Sequence, residues 1–378
     1  MNIIQVASVF SGLIVGLTSS AHAGVAKRLI DTGNGKAQWV TEAQASELSA
    51  KAHASNRCGG YFDLTEFKSS QTKINQKHIS AVDTFKLSLG TRPLTQANFL
   101  ATALPALDAT KMIATVNSLA AYKNRYYTSP HGVDAANWIA DQFRALGRNR
   151  TDVTVELFNH SFKQPSVITT IAGQGPHANE IVVIGGHEDS INQSSIFGSA
   201  EQDAPGADDN ATGVALVLEV YRVILDTGFK PDRTLKFMTY AGEEKGLLGS
   251  QDIANQFKRD GKSVVAVAQF DMTGFDGSGD QVVFMTDFTD PNLTSFSQKL
   301  LDTYVHAKWT TDKCGYACSD HASWHKAGYP AVMPFEATME GDNKNIHTSN
   351  DKFGLLDFSH ALHFTKLALS FVAELSSN

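Results

Sequence analysis

No stretch of this 378-residue chain concentrates charge of one sign. The formal net charge is -7 and the acids are scattered, so there is neither the basic stripe of a nucleic-acid binder nor an acidic solvating tail. Long hydrophobic runs are missing as well. The apolar stretch at the N-terminus falls short of the roughly 20 residues that span a bilayer, and Gln5, Ser8 and Ser11 interrupt it. No period marks a repeat protein, and cysteine is scarce at three residues. These absences argue against nucleic acid and membrane as partners and leave a small molecule or peptide. What is present is an ordinary apolar fraction of 42%, enough for one large domain and a smaller segment.

Met1 to Ala23 reads as a secretory signal peptide: a short apolar centre closes on Ala21-His22-Ala23, the small-x-small pattern of a cleavage site, although no Lys or Arg precedes it. The expected location is therefore extracellular or periplasmic. Residues 24–105, rich in Ala, Ser, Gln, Lys and Thr, read as a propeptide or small N-terminal segment, and residues 106–378 as the main domain. Export implies an oxidising compartment, where Cys314 and Cys318 of "CGYAC" are expected to form a disulfide. Cys58, in "NRCGGYFD", has no evident partner. It reads first as a free or packed cysteine, and alternatively as a thiolate that blocks a zinc ion in a zymogen.

From about Met112 helical and strand patterns alternate. "AANWIADQFRALG" has helical spacing, "TDVTVELF" alternates as a strand, and the apolar strand "EIVVIGG" is followed by the helix "TGVALVLEVYRVIL". "TLKFMTYAG", "LLGSQDIANQFKRDG" and "VVAVAQFDM" continue the alternation, and "LLDFSHALHFTKLALSFVAEL" is the last long helix. Continuous apolar strands are covered on both faces, so the fold class is α/β: a mixed, centrally parallel sheet sandwiched by helices. Ligand sites in such sheets lie beyond the carboxyl ends of the strands.

At those ends stand His187, Glu188 and Asp189 after "IVVIGG", Asp208 and Asp209 before a helix, Glu243 and Glu244 after "KFMTYAG", and Asp271 after "VAVAQF", with His347 in the later loop "NIHTSND". Singly, each suits a helix start, a turn or a charged surface loop. Together they supply imidazole and carboxylate donors without a thiolate, which favours zinc, with manganese or cobalt as substitutes.

"GGHEDS", "APGADDNATG", "AGEEKGLLGS", "FDMTG", "CGYACSDHASWHKAGYPAVMPFE" and "IHTSND", in this order, resemble the secreted bacterial leucyl aminopeptidases of the two-zinc exopeptidase family, a resemblance running from about Met112 to the C-terminus. It implies hydrolysis of the N-terminal peptide bond of peptides by a hydroxide bridging two Zn2+ ions. Asp208 would bridge the ions, with His187 and Asp271 completing the ligands of one and Glu244 and His347 those of the other. Asp189 would orient His187, and Asp209 would follow the bridging acid across a cis peptide bond. Glu243 would be the general base and Tyr316 the oxyanion donor, its loop held by the disulfide. Met272, Cys314, Cys318, Phe335 and Ile346 match apolar positions of a pocket for Leu-like residues. Met339 and Asp342 stand where aromatic rings are found in the family, which opens the possibility of Lys or Arg preference. A monomer acting on peptides with a free N-terminus is the expected form.

Other patterns lead elsewhere. His321 and His325 have the spacing of a helical zinc pair but lack the intervening Glu of the protease motif, and read as structural. His360 and His363 read as a solvated or packed helix face. Ser319, Asp320 and His321 adjoin in sequence, unlike a triad assembled from separate segments. A glutaminyl cyclase with one working metal and a non-catalytic binding ectodomain are the alternatives. A complete ligand set and both glutamates argue against them.

Overall fold

The computed structural model describes residues 27–32, 36–53, 61–65, 76–193 and 199–377. The expected signal peptide and Cys58 lie outside these residues.

An eight-stranded sheet organises the body. Its strands are β4 (Val153–Phe158), β5 (Ser166–Ile171), β6 (Glu180–His187), β7 (Thr234–Tyr240), β8 (Ser263–Gln269), β9 (Gln281–Met285), β10 (Lys308–Asp312) and β11 (Ala331–Phe335), in the order β10-β9-β11-β8-β6-β7-β5-β4. The four central strands, β11, β8, β6 and β7, run parallel, while antiparallel pairings flank them. The mixed, centrally parallel sheet expected from the sequence is therefore present. Alternation along β6 explains the sandwich: Val182 and Ile184 join the larger core on one face, Ile181 and Val183 the smaller core on the other.

Helices Pro130–Gly147, Gly213–Asp226 and Phe358–Ser376 supply much of the larger core, and helices Leu248–Arg259 and His321–Ala327 cover the opposite face. Several starts follow their capping residues. Ser129 accepts from Gly132 N, and Asp357 accepts from Ser359 N and His360 N. No single helix among the described residues is long and apolar enough to cross a membrane.

The N-terminal segment is more organised than its composition suggests. Strands β1 (Lys27–Asp31), β2 (Ala37–Thr41) and β3 (Phe62–Asp63) form a separate antiparallel sheet, and with helix Glu42–His53 they enclose Ile30, Val40, Ala45 and Tyr61. By contrast, Phe85 and Leu89 of helix Gln76–Leu89, together with Leu100 and Ala103, lie in the larger core of the body. Glu374, near the other end of the chain, accepts from Thr95 N and Gln96 N at 2.9 Å each. The segment from Gln76 onward is thus packed into the body, across the expected boundary at residue 105.

Candidate active site

Parallel pairing of β6 with β7 and β8 brings three strand ends side by side. His187 pairs with Tyr240, three residues before Glu243, while Gly185 pairs with Gln269, two residues before Asp271. The segment carrying Asp209 enters from the start of helix Gly213–Asp226, and the loop carrying His347 closes the site. His347 adopts a left-handed backbone conformation, φ 58°, which non-glycine residues rarely occupy.

These segments make two donor groups that share one carboxylate. His187, Asp209 and Asp271 form the first, and Asp209, Glu244 and His347 the second. Oδ1 of Asp209 lies 2.9 Å from His187 Nε2, and its Oδ2 lies 2.9 Å from His347 Nε2. Asp271 Oδ1 is 3.1 Å from His187 Nε2, and Glu244 Oε2 is 3.2 Å from His347 Nε2. All five residues are buried. Burial opposes charge on the imidazoles, yet Asp271 facing His187 and Glu244 facing His347 outweigh it and hold both pKa values well above the usual 6.5. The same negative field would draw a divalent cation, and the His and carboxylate donors suit zinc.

The position expected of Asp208 belongs to Asp209. Asp208 is turned away and tied: its Oδ1 accepts from Gly274 N at 3.2 Å and its Oδ2 from Asn343 Nδ2 at 2.8 Å. The cis peptide bond correspondingly joins Asp209 to Asn210 rather than Asp208 to Asp209. Two adjacent aspartates leave a one-residue ambiguity in sequence, which the hydrogen bonds of Asp208 resolve.

Asp189 contacts both His187 and the glutamate turn. The imidazole Nδ1 lies 3.2 Å from the Asp189 carbonyl oxygen and 3.5 Å from its Oδ1. The carboxylate oxygens accept from the backbone N–H groups of Glu243 and Glu244, at 3.0 and 3.2 Å. Glu243 itself is fully buried, and neither side-chain oxygen has a hydrogen-bond partner among the described residues. Burial holds its pKa well above the ordinary carboxylate range.

Met272, Tyr316, Cys318, Phe335 and Ile346 share one apolar cluster, with Cys314 and Met339 against it. The disulfide Cys314–Cys318 is formed, enclosing Tyr316. Asp342 is buried, with one carboxylate oxygen unpartnered. Burial, with the Asp209 charge, pushes its pKa up to about 7 against the opposing pull of Lys344 and His347. Among the residues set aside, His321 is buried with Nε2 on the Asp287 carbonyl oxygen at 3.0 Å, and His360 is buried between Asp280 and the Glu336 carbonyl oxygen. Neither belongs to the donor groups.

Three supporting residues were missed, although two of them, Asp351 and Glu336, stand inside quoted motifs. Asp351 accepts from Asp208 N and Asp209 N, and Glu336 accepts from Gly274 N and Phe275 N. Arg125 is buried among backbone carbonyls. The signal available for each was an ionisable residue in an otherwise apolar or turn-forming stretch.

The small N-terminal sheet reaches this site. Ser49 Oγ donates to the Glu244 carbonyl oxygen at 3.4 Å, and Phe62 packs with Leu247, Ala317 and Ala322. Ala317 lies between Tyr316 and Cys318, so the module touches both the glutamate turn and the disulfide loop.

Comparison with known proteins bears on this arrangement. The model of peptidase family M28 matches residues 166–372. A probable leucine aminopeptidase of Arthroderma benhamiae is 36% identical over 353 residues, covering 92% of each chain. Leucine aminopeptidase 1 of Fusarium vanettenii is 35% identical over 361 residues, covering 92% of this chain and 87% of its own. The crystal structure of Legionella pneumophila LapA aminopeptidase superposes with a TM-score of 0.78 at 30% identity, covering 95% of this chain and 96% of that one. The similarity thus extends to fungal as well as bacterial proteins.

Proposed function

This chain belongs to peptidase family M28 and is a metallo-aminopeptidase, and from that premise we propose that two Zn2+ ions, one in each donor group, serve its hydrolysis of N-terminal peptide bonds. The observation that carries the reading is Asp209, whose two oxygens face the two imidazoles at equal distance, 2.9 Å. When bound, the ions would polarise the scissile carbonyl and lower the pKa of a water molecule towards about 7. Glu243, unpartnered at the head of its turn, takes the proton of the attacking water and returns it to the leaving amine. Tyr316 donates to the oxygen that gains charge, and the Cys314–Cys318 bridge limits the freedom of its loop.

The apolar cluster from Met272 to Ile346 takes a Leu-like side chain. Asp342 adds affinity for Lys or Arg at the substrate N-terminus, supported by its buried, unpartnered oxygen. An Asp342→Ala variant should lower kcat/KM for lysyl relative to leucyl substrates; an unchanged ratio removes this role. The partners are peptides with a free N-terminus, and the working form is a monomer. Residues 1–23 direct secretion and are removed. A pro-segment follows, and we place its separable part before Gln76, because Phe85 and Leu89 belong to the core of the body.

The test is the initial rate on leucyl-p-nitroanilide and its N-acetylated analogue, before and after chelation and zinc add-back. Cleavage of the free amine alone, lost on chelation and restored by zinc, is expected, with two zinc ions per chain. Retention of activity by the metal-free protein would overturn the proposal.

A further inference from the structure

The segment carrying Asp209 is gripped from two sides. On its carbonyl side, the fully buried Arg125 guanidinium donates from Nη1 to Pro205 O at 2.5 Å and from Nη2 to Gly206 O at 2.8 Å. The same guanidinium donates from Nε to Glu188 O at 2.8 Å, next to His187. On its amide side, the buried Asp351 carboxylate accepts from Asp208 N and Asp209 N at 3.0 Å each. Asp351 lies four residues beyond His347 on the same loop, and its own carbonyl oxygen accepts from Ala207 N.

These contacts divide between the donor groups. Arg125 fastens the Asp209 segment to the strand end bearing His187, whereas Asp351 fastens it to the loop bearing His347. The fit leaves little play. Gly206 has φ 52°, and a Cβ there would meet Asp209 O at 2.5 Å and Arg125 Nη2 at 2.7 Å. A guanidinium satisfied by carbonyls and a carboxylate satisfied by amides are strong, directional holds in a dry interior.

We propose that Arg125 and Asp351 are positioning residues with separate charges: Arg125 sets the distance between His187 and Asp209 and thereby the affinity of the first donor group for its ion, and Asp351 does the same for the second. This rests on the two-ion reading above. Removing a group that orients metal ligands typically weakens metal binding by about 10-fold to 100-fold.

The conservative variants Arg125→Lys and Asp351→Asn test it in the full chain by stepwise titration with Co2+, with His187→Ala and His347→Ala as references for the absorption spectra of the one-ion forms. Wild type is expected to bind two ions. Asp351→Asn should bind one ion with wild-type affinity and the other about 10-fold to 100-fold more weakly, its one-ion spectrum matching that of His347→Ala. Arg125→Lys should give the opposite, matching His187→Ala. Wild-type binding of two ions by both variants, or loss of the same ion from both, overturns the division. Wild type binding fewer than two ions removes the two-ion reading and this inference with it. Melting with and without Co2+ separates positioning from general support: a metal-free midpoint that falls while the metal-induced rise stays at the wild-type value overturns the proposal too.

Discussion

Two pairs of adjacent acids, Asp208-Asp209 and Glu243-Glu244, are held in nearly the same way and used differently. In each, the backbone N–H groups of both members point at the two oxygens of one buried carboxylate, Asp351 for the first pair and Asp189 for the second. In each, the second member turns to the imidazoles. The first members part company. Asp208 spends its oxygens on Gly274 N and Asn343 Nδ2, while both oxygens of Glu243 remain without a partner in a fully buried position. An unsatisfied buried polar group costs on the order of 1–3 kcal/mol, more if charged. Glu243 bears that cost beside an Asp208 whose two oxygens are both hydrogen-bonded, a contrast that supports the proposed use of Glu243 as the proton carrier.

The sharpest way to break this comparison is to exchange the shared donor. Asp209→Asn should abolish uptake of both ions and lower kcat/KM on the order of 10⁴-fold, the scale for a group that works as a unit with its partners. Loss of one ion only, measured as metal per chain, would show that the bridge lies elsewhere. Glu243→Gln comes next. It should reduce kcat by about 10²-fold to 10⁴-fold while metal content and KM hold, and a matching loss of metal would make it a ligand like its neighbour. Asp208→Asn should act through positioning, weakening metal binding by about 10-fold with turnover recovered at excess zinc. A Glu243-like fall in kcat at full occupancy would erase the distinction between the pairs.

The smallest effect concerns a buried imidazole with no carboxylate facing it. Burial pushes His321 down to about 3, the opposite direction from His187 and His347. Its folded pKa lies below the unfolded value of 6.5, so the stability it supports is complete above pH 6.5 and drains as pH falls towards about 3. One proton sets the limiting slope at about 1.4 kcal/mol per pH unit. Urea unfolding of His321→Asn should show a flatter limb between those pH values than wild type. An unchanged slope would assign the acid sensitivity to other groups.

The body of the fold was legible because β6, β7 and β8 are largely apolar runs followed by polar donors, and that pattern survives without any knowledge of pairing. His187, Glu244 and Asp271 stand just at or beyond the ends of these strands, whereas the ligand roles, including that of His347 in its later loop and the assignment to Asp208, came from the family resemblance. Asp208 and Asp209 are chemically identical neighbours, and the Gly274 amide and Asn343 that claim Asp208 distinguish them; Asn343 is 135 residues away from Asp208 in the chain. Arg125 and Asp351 were hidden for the same reason, since their partners are backbone groups, which have no signature in composition or spacing. The N-terminal sheet was underestimated because its small core rests on Ile30, Val40, Ala45 and Tyr61, too few apolar residues to raise the average of a polar segment.

Glu374 carries a consequence for how the molecule comes into being. Its carboxylate receives Thr95 N, Gln96 N and the Tyr304 hydroxyl, joining the first third of the body to its last helix. Synthesis is vectorial, and a domain generally folds as a unit. Until residue 374 has been made, Thr95 and Gln96 have no acceptor there, and the early helices lack the anchor that fixes them. A chain cut short before residue 374 would therefore hold every strand of the large sheet, the last of which ends at Phe335, yet lack the acceptor that joins Thr95 and Gln96 to the final helix.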